Sequence, residues 1–364
     1  MNIAVLGSGN GGCAVAADCA LHGHDVRIFD FEQFSTNIKA ISLAGGIKAT
    51  GDVEGFGKVT YAGNNIEHAV KDAELIYVVC PSYATEAFAE AYKPYMTEGQ
   101  KVVVNPGTNG GALVFKKALG LEYSDPMIVV SETSTLPYAC RIMAPGEIHV
   151  YLKLKDGLYM ASLPSTGIEE SLKAVIDVYP CTSAYQNVFQ TILQNGNNVI
   201  HPAVSLLNVG RIESPEDFFF YEEGVTPGVG RLMQAVDEER MAIAEALGAP
   251  ILSEPAVGMI QGYMLEDNYS TGYSKAPGFK GIKAQTQIDY RYFTEDVGYG
   301  LILLTDLARV VNVPTPTMDA IITLVATVMD RDFRAEAARN LKAFGLSGLN
   351  KEELLNAVEE PVGV

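Results

Sequence analysis

Short apolar runs alternate with helix-like stretches along the first part of the chain. Six of these runs have the length and the β-branched content of buried strands: NIAVLG, DVRIFD, KVTYA, ELIYVV, KVVVN and MIVVSE. Strands that alternate with helices are typical of a parallel sheet with helices on both faces. The pattern therefore predicts a doubly wound α/β domain at the N-terminus.

The pattern changes after the sixth run. Two strand-like stretches within GEIHVYLKLKDGLYMASLP flank Asp156-Gly157, a strong turn signal, so we predict an antiparallel hairpin that closes the first domain. From about Tyr185 onward, apolar residues recur at three- and four-residue steps, as in GVGRLMQAVDEERMAIAEALG. We expect an α/β domain over residues 1–185 and an all-helical domain over residues 186–364.

Composition narrows the class of protein. The 364 residues carry a formal net charge of -18, which repels phosphate backbones and anionic lipid surfaces and argues against nucleic-acid and membrane partners. No apolar run approaches the roughly 18 residues that a membrane span needs. The N-terminus shows no basic stretch followed by a cleavage site. We therefore expect a cytoplasmic protein that acts on small molecules.

Cysteine and histidine show no metal-binding pattern. The five cysteines are scattered without CxxC spacing, and the five histidines form no HExxH pair. An odd number of scattered cysteines indicates reduced, mostly buried thiols. The sequence therefore predicts neither a disulfide framework nor a metal site.

A glycine-rich segment, GSGNGG, lies between the first strand and the helix-like stretch CAVAADCALHG. Gly7, Gly9 and Gly12 match GxGxxG, in which the glycines allow a tight turn, the approach of a pyrophosphate and close packing of helix on strand. Alone the motif is weak, since glycines also serve ordinary tight turns. Asp30 ends the second strand about twenty residues on, where an acid accepts hydrogen bonds from the ribose hydroxyls.

These observations together predict a dinucleotide site of the Rossmann type. The acid favours NAD, because a 2′-phosphate would meet like charge, although nearby Arg27 keeps NADP open as the less favoured cofactor. The predicted cofactor-binding residues are Gly7, Ser8, Gly9, Asn10, Gly12, Asp30, Cys80 and Pro81.

Three residues are candidates for the chemistry. His201 directly precedes Pro202, which is tolerated in the first turn of a helix. Asp296 follows Thr294 and Glu295, a pattern typical of a helix N-terminus, where an acid caps the helix and offsets its dipole. Arg291 has the position of a surface cation. From spacing alone, each of the three stays open between a structural and a catalytic role.

Five segments together resemble the opine dehydrogenase family, whose known types include octopine dehydrogenase and N-(1-carboxyethyl)norvaline dehydrogenase. They are GSGNGG, SETSTLPYACR (131–141), NGNNVIHP (195–202), FFFYEEGVTPGV with the downstream DEER, and RYFTEDVGYGL (291–301). The resemblance covers nearly the whole chain. It implies an N-terminal Rossmann domain that binds the reduced nicotinamide and an all-helical C-terminal domain that holds a keto acid and an amino acid.

The resemblance also implies the roles of individual residues. It makes His201 the catalytic histidine and Asp296 its partner, while Arg291 grips the substrate carboxylate and Thr135 lies near the keto acid. The family's Pro-Gly-Gln loop reads Pro-Gly-Thr here, so its side-chain amide contact is lost or taken over by the next residue. The implied substrate-binding residues are Arg291, Thr135, Thr108 and Asn109. A glycine, Gly298, replaces the proline found in many relatives.

The implied reaction condenses an amino acid with a 2-keto acid and reduces the resulting imine by hydride. One alternative is a simple carbonyl dehydrogenase of the glycerol-3-phosphate or ketopantoate type, which uses a lysine as proton donor. Lys116 and Lys117 are the lysines available for that role, and we interpret them as the solvated face of a helix. A second alternative is an NAD-binding redox sensor without turnover. The amino acid, the stereochemistry and the choice between monomer and homodimer stay open.

Overall fold

The computed structural model describes residues 1–359 of the chain. The described chain divides into two compact units: unit 1 is Met1–Thr191 together with residues 356–359, and unit 2 is Ile192–Leu355. Residues 360–364 of the predicted helical domain lie outside the described residues. No described helix has both the length and the apolar character needed to cross a bilayer.

The strands lie in unit 1 and form two sheets. They are β1 (Asn2–Leu6), β2 (Asp25–Phe29), β3 (Gly46–Gly51), β4 (Gly55–Lys58), β5 (Tyr61–Gly63), β6 (Leu75–Val78), β7 (Lys101–Val104), β8 (Val129–Thr133), β9 (Tyr138–Ala144), β10 (Glu147–Lys153), β11 (Leu158–Leu163) and β12 (Thr182–Ala184). The large sheet has the order β12-β11-β8-β7-β6-β1-β2-β5, and the small sheet has the order β4-β3-β10-β9.

The large sheet confirms the predicted doubly wound fold. The six predicted runs form β1, β2, β5, β6, β7 and β8, which pair in parallel across the sheet. The strand β6 is buried at every position, as expected where helices cover both faces of a parallel sheet. The strand β11 joins this sheet antiparallel to β8 and parallel to β12.

The predicted hairpin around Asp156-Gly157 is wrong. The chain does bend at Lys155 and Asp156, and Gly157 has φ of +73°, but the strands on the two sides of this bend belong to different sheets. The antiparallel partner of β10 is β9, and the turn between them contains Gly146, with φ of +79°. A turn signal specifies a change of chain direction, whereas the strand pairing depends on which sheet each strand joins.

In addition to four short 3-10 turns, unit 1 contains seven α-helices before its boundary with unit 2. They are α1 (Asn10–Leu21), α2 (Ser35–Ala44), α3 (Ile66–Val70), α4 (Thr85–Tyr92), α5 (Gly111–Ala118), α6 (Ile168–Val175) and α7 (Val188–Leu193), the last of which extends past the boundary. Helix α1 contacts strands of both sheets, and residues 12–19 are all buried. Its small side chains fit this position, because a helix buried on all sides has room for little more than alanine and cysteine.

Unit 2 is helical. Its helices are α8 (Asn197–Leu207), α9 (Val209–Ile212), α10 (Pro227–Leu247), α11 (Glu254–Ile260), α12 (Thr271–Ser274), α13 (Arg291–Thr294), α14 (Ile302–Val310), α15 (Pro316–Met329), α16 (Phe333–Glu336) and α17 (Leu341–Phe344), and α18 (Lys351–Glu359) crosses its boundary. The long helix α10 packs on α8, α14 and α15. It begins with Thr226 as N-cap and ends at Gly248, with φ of +80°. Both ends are typical of helix termini.

The helices around Pro202 and Asp296 in unit 2 differ from simple helix starts. Pro202 lies inside α8 instead of in its first turn, because the helix already begins at Asn197. Asp296 lies in the first turn of a helical segment, as its sequence context indicates, but this segment is a π-helical turn, Asp296–Leu301, that runs directly into α14. In this turn the amide of Gly300 donates to the carbonyl of Glu295, the five-residue spacing of a π helix. Such turns are frequent at functional sites.

Candidate active site

The glycine-rich segment has a backbone that requires glycine at two of its three motif positions. Gly7 has φ of +114°, and a Cβ there would clash with the carbonyl oxygen of Val79. A Cβ on Gly12 would clash with the carbonyl oxygen of Gly7, so the helix and the preceding turn pack in direct contact. A Cβ on Gly9 would meet no protein atom within 4 Å. The space over Gly9 is therefore open to a ligand.

The segment leads into the N-terminus of α1, where no described side chain caps the backbone amides or offsets the helix dipole. Gly9 is the N-cap of α1, no side chain caps the helix, and its first turn contains no acidic residue. Backbone amides and the positive end of the helix dipole therefore remain available to an anion. This is the arrangement that binds a pyrophosphate in dinucleotide folds, and the residues present fit such a cofactor.

Asp30 takes part in the structure of the glycine-rich segment. One of its carboxylate oxygens accepts hydrogen bonds from the amide and the hydroxyl of Ser8, both at 2.7 Å, and the other accepts from the amide of Phe31. The side chain is buried. A carboxylate offers about four acceptor positions, so these bonds leave capacity for the predicted ribose contact. Asp30 thus also anchors Ser8.

Two asparagines hold the same segment in place. The side-chain oxygen of Asn10 accepts from the amide of Ile142 in β9. The amide of Asn37 donates to the carbonyl of Ser8 at 2.7 Å, and its oxygen accepts from Gly146 at 2.7 Å. Sequence reasoning missed Asn37, because nothing in its surroundings marks it as a partner of residues so distant in the chain.

The remaining predicted cofactor residues follow β6. Val79 donates its amide to the carbonyl of Leu6, which places the end of β6 beside the glycine-rich segment. Cys80 comes next and is half-buried, and Pro81 is exposed. Both residues therefore lie at the carboxyl edge of the parallel sheet, where open α/β sheets bind their ligands.

The predicted keto-acid residues of unit 1 lie at the same sheet edge, beyond β7 and β8. Thr108 and Thr135 are half-buried, whereas Asn109 is fully buried in a turn with φ of +57°. Thr133 supports this region, because its hydroxyl is 2.8 Å from the side-chain oxygen of Asn105 and 3.0 Å from the carbonyl of Thr135.

Glu132 is a buried acid that the sequence did not reveal. Its carboxylate accepts from the amide of Ala112 at 2.8 Å and from the hydroxyl of Thr191 at 2.6 Å. A Cβ on Gly107 would collide with it. Glu132 therefore fixes the loop that contains Thr108.

We predicted that Lys116 and Lys117 lie on one solvated helix face. This prediction is confirmed for Lys117 and is wrong for Lys116. Lys117 is exposed. Lys116 is fully buried, and its ammonium group donates to the carbonyls of Asp125 at 2.6 Å and Leu163 at 2.7 Å. Burial lowers the pKa of Lys116 to about 7. Adjacent helical residues are about 100° apart around the axis, so neighbours need not share an environment.

Unit 2 brings His201 and Asp296 together. His201 lies on α8, Asp296 begins the π-helical turn, and Nδ1 of His201 is 2.7 Å from a carboxylate oxygen of Asp296. Both side chains are buried, 6% and 1% exposed. Burial raises the pKa of the Asp296 carboxyl, and the neighbouring His201 opposes this rise. Within the described residues, the other oxygen of Asp296 has no hydrogen-bond partner.

The close approach of the two elements depends on a glycine. A Cβ on Gly300 would clash with the side-chain oxygen of Asn198 on α8. Any larger residue at this position would require the buried side chain of Asn198 or the π-helical turn to shift. Gly298 is less crowded but still tight, since a Cβ there would lie 3.1 Å from the ring of Phe333, which would have to shift slightly.

Aromatic rings surround the imidazole of His201. The ring of Tyr292 stacks on it with centroids 3.8 Å apart and an interplanar angle of 22°. Phe220 lies edge-on at 6.0 Å, and the hydroxyl of Tyr221 is 3.4 Å from Nε2. The histidine is therefore held in one orientation, with Nδ1 directed to Asp296 and Nε2 directed to Tyr221.

Arg291 precedes Tyr292 on α13. Its side chain is 54% exposed, and Nε is 3.5 Å from a carboxylate oxygen of Glu295. It lowers the pKa of both Asp296 and Tyr221 by its charge, although burial dominates the pKa of each. The structure thus places a solvent-accessible guanidinium in the electrostatic neighbourhood of the histidine.

A buried ionic network near α8 was also missed. Asp237 on α10 binds Arg240, the amide of Glu254 and the hydroxyl of Tyr269 at 2.6–2.7 Å. Arg240 in turn donates to the carbonyl of Leu193 at 2.7 Å, at the end of α7. Both charged residues belong to the DEER segment, which sequence reasoning noted without giving it a role. A charged segment inside an otherwise apolar helical pattern was the signal for a buried pair.

Glu254 completes this network beside the segment that leads into α8. A Cβ on Gly196 would lie 2.5 Å from its carboxyl carbon, so the carboxyl group packs directly on the NGNN segment. Burial raises the pKa of Glu254 to about 8. The network therefore supports the N-terminal end of the helix on which His201 lies.

A Rossmann-type unit with a glycine cradle, followed by a helical unit with an oriented histidine, defines a two-domain dinucleotide-dependent dehydrogenase. Comparisons with known proteins agree with this class. Residues 184–329 match the family model of the α-helical domain of NAD/NADP octopine/nopaline dehydrogenase, and residues 2–110 match that of the N-terminus of NAD-dependent glycerol-3-phosphate dehydrogenase.

Curated relatives match over nearly the full length. The opine dehydrogenase of Arthrobacter sp. (strain 1C) is 39% identical over 360 residues, and the match covers 98% of each chain. The protein ocs of Agrobacterium tumefaciens (strain Ach5) is 25% identical over 362 residues, again with 98% of each chain covered. The chain belongs to the opine dehydrogenase family.

Solved structures share the fold. Octopine dehydrogenase in complex with NADH and L-arginine has a TM-score of 0.81 at 18% identity, with 100% of this chain and 99% of that chain covered. A ketopantoate reductase from Ralstonia eutropha JMP134 has a TM-score of 0.62 at 17% identity, with 91% and 99% covered. The fold is therefore common to opine and ketopantoate enzymes, and membership of the family rests on the Arthrobacter relative.

Proposed function

We propose that the protein catalyses the NADH-dependent reductive condensation of an amino acid with a 2-keto acid such as pyruvate. The product is a secondary amine that carries two carboxylates, an opine. The observation that carries the proposal is the buried pair of His201 and Asp296 at 2.7 Å in a chain of the opine dehydrogenase family. Solved octopine dehydrogenases in complex with L-arginine or pyruvate support the two substrate classes.

The cofactor belongs to unit 1. The amides at the start of α1 and the open space over Gly9 would hold its pyrophosphate, and Asp30 would accept from its ribose. Bound NADH supplies the hydride that reduces the imine. NADH is the preferred cofactor in this proposal, because the buried carboxylate of Asp30 repels a 2′-phosphate.

His201 moves the protons. In the neutral imidazole, Nδ1 carries hydrogen and donates to Asp296, so Nε2 has the lone pair that accepts a proton. Asp296 fixes this tautomer and stabilises the imidazolium that forms. Carbinolamine formation and dehydration need one group that first takes and then returns protons near neutral pH, and histidine fits this role.

The proposed contacts to the substrate carboxylates are Arg291 and three residues of unit 1. The planar guanidinium of Arg291 binds a carboxylate through two parallel hydrogen bonds, which lets a protein with net charge -18 bind acidic substrates. Thr135, Thr108 and Asn109 follow the strands β7 and β8 at the carboxyl edge of the sheet and are the proposed keto-acid contacts.

The test measures NADH consumption with pyruvate alone, with an amino acid alone and with both, across a panel of amino acids. We expect consumption only with both substrates, and mass analysis should give the mass of the amino acid plus pyruvate less one oxygen atom. Rapid consumption with pyruvate alone, with lactate as product and no added rate from any amine, would instead establish a hydroxy-acid dehydrogenase.

The proposal includes a cytoplasmic location and a homodimer. All five cysteines lie within the described residues and are free thiols, which fits a reducing compartment. Light scattering of the purified protein tests the homodimer, since a molar mass equal to that of one chain would contradict it.

A further inference from the structure

Tyr221 is the hydrogen-bond partner of Nε2 of His201 within the described residues, at 3.4 Å. Asp296 occupies Nδ1 and Tyr292 covers one face of the ring. Nε2 is the nitrogen that exchanges protons, so any proton leaving it meets the hydroxyl of Tyr221 first. Catalytic hydrogen bonds are often long before the substrate binds and tighten in the complex, so a 3.4 Å contact is compatible with a catalytic role.

The ring of Tyr221 is held firmly. It stacks on Phe279 with centroids 4.3 Å apart and an angle of 14°, and it meets Phe220 edge-on at 5.0 Å. The side chain is buried. A packed ring fixes the hydroxyl opposite Nε2, which a tyrosine on a mobile loop could not do.

The phenol keeps its proton over the working range of the enzyme. Burial, together with the charges of Tyr292, Glu254 and Asp296, raises the pKa of Tyr221 well above its ordinary value. A phenolate is therefore costly here. The hydroxyl can pass a proton on only if it receives another at the same time.

We propose that Tyr221 is a further catalytic residue, a relay between Nε2 of His201 and the oxygen of the substrate. This inference rests on the proposed function. In the dehydration step, the O–H of Tyr221 gives its proton to the carbinolamine hydroxyl while Nε2–H of the imidazolium gives its proton to the tyrosine oxygen. The C–O bond breaks, water leaves, and the nitrogen lone pair forms the C=N bond of the iminium. His201 ends neutral and Tyr221 ends unchanged.

The segment FFFYEEGVTPGV contains Tyr221 and has no other role in the reaction described above. Its neighbours serve the protein in different ways. Glu223 binds the guanidinium of Arg211 at 2.9 Å on the surface, and Phe220 packs against His201 and Tyr292. Tyr221 is the member of this segment whose polar atom reaches the histidine.

The test compares Tyr221→Phe with Tyr263→Phe. Tyr263 stacks on the same ring, Phe279, at 5.6 Å, so it is a matched control for the loss of one hydroxyl from the aromatic stack. We expect Tyr221→Phe to lower kcat about tenfold to a hundredfold, near the lower end of an acid–base contribution. The KM values and the affinity for NADH should change by less than about twofold, and Tyr263→Phe should stay within about twofold of wild type in all of them.

A proton inventory separates the relay from a packing role. Single-turnover rates in mixtures of H2O and D2O should curve with deuterium content in the wild type, because two protons move together, and should become linear in Tyr221→Phe. A Tyr221→Phe enzyme that retains half of the wild-type kcat, or one that keeps the curved inventory, would overturn the proposal.

Failure of the relay is distinguishable from failure of the proposed function. If the wild type consumes NADH with pyruvate alone, the reductive condensation is wrong, while the same pair of variants still tests the relay, since a reduced carbonyl oxygen also takes up a proton. If both substrates are required and the two variants behave alike, the condensation stands and the relay is wrong.

Discussion

The glycine cradle of unit 1 and the buried pair of His201 and Asp296 in unit 2 are built in opposite ways. The cradle consists of backbone within residues 7–12, and its main requirement is that side chains be absent. The pair consists of two side chains 95 positions apart that only the helical fold brings together. A local motif is therefore sufficient to predict a cofactor site, whereas the contact between His201 and Asp296 depends on long-range packing.

The largest expected effect separates the two regions through His201→Asn. We expect kcat to fall about a hundredfold to ten-thousandfold, the usual size of a general acid–base contribution, while NADH affinity stays within about twofold of wild type. Turnover assays and fluorescence titration with NADH measure the two quantities. His149→Asn is the control, because His149 lies in β10 and contacts Thr50. Near wild-type turnover in His201→Asn would return the histidine to a structural role.

Two glycine variants should do the opposite and weaken NADH binding through the cradle of unit 1. Gly9→Ala places a methyl group in space that no protein atom approaches within 4 Å, so we expect an unchanged melting temperature but an NADH affinity lower by about tenfold, or about 1.4 kcal/mol. Gly12→Ala clashes with the carbonyl of Gly7 and should lower both affinity and melting temperature. Calorimetry and NADH titration distinguish the two. An unaltered affinity in Gly9→Ala would show that the cofactor does not use this space.

A smaller effect is the pH dependence of stability that arises from Glu254, the buried acid of unit 2. The folded-state pKa of Glu254, about 8, lies above its ordinary value of 4.5. Its contribution to stability is therefore present below pH 4.5 and is lost as the pH rises towards 8, with a slope of at most about 1.4 kcal/mol per pH unit. Glu254→Gln cannot ionise, so the melting temperature of the variant relative to wild type should rise between pH 5 and 8. A constant difference would contradict the raised pKa.

Lys116, the buried lysine of unit 1, should change stability with pH in the opposite direction. The folded-state pKa of Lys116, about 7, lies below its ordinary value of 10.5. Its contribution is present above pH 10.5 and is lost as the pH falls towards 7. The melting temperature of wild type relative to Lys116→Met should therefore rise between pH 7 and 10. Lys117→Met, at an exposed neighbouring position, is the control and should give a flat difference.

The sequence predicts the architecture better than it predicts the contacts. Contiguous apolar runs such as Leu75–Val78 identify buried strands, because burial on both faces leaves no polar position. The hairpin at Asp156-Gly157 failed because a turn does not determine which strands pair. Lys116 was misjudged because adjacent helical residues point in different directions.

In the candidate site, too, the local motif was easier to predict than the long-range contacts. The roles of Gly7 and Gly12 were predicted from their spacing, because the motif that combines a tight turn with close helix packing has a fixed backbone geometry. The partnership of His201 with Asp296 came from family resemblance, because no local rule connects two positions on different helices. Tyr221 and Glu254 were missed for that reason too: their importance arises from what packs against them.

The π-helical turn at Asp296–Leu301 has a consequence for how this protein can vary. A π turn holds one residue more than an α turn, and one additional residue rotates everything after it by about 100°. Helix α13 and the π-helical turn contact α8, whereas α14 contacts α10 and α15, and each of these contacts fixes the rotation of its segment about the helix axis. If a single residue were deleted from the π-helical turn, α14 could keep its packing only if Asp296 rotated away from His201. The length of this segment is thus constrained as strictly as the identity of its acid.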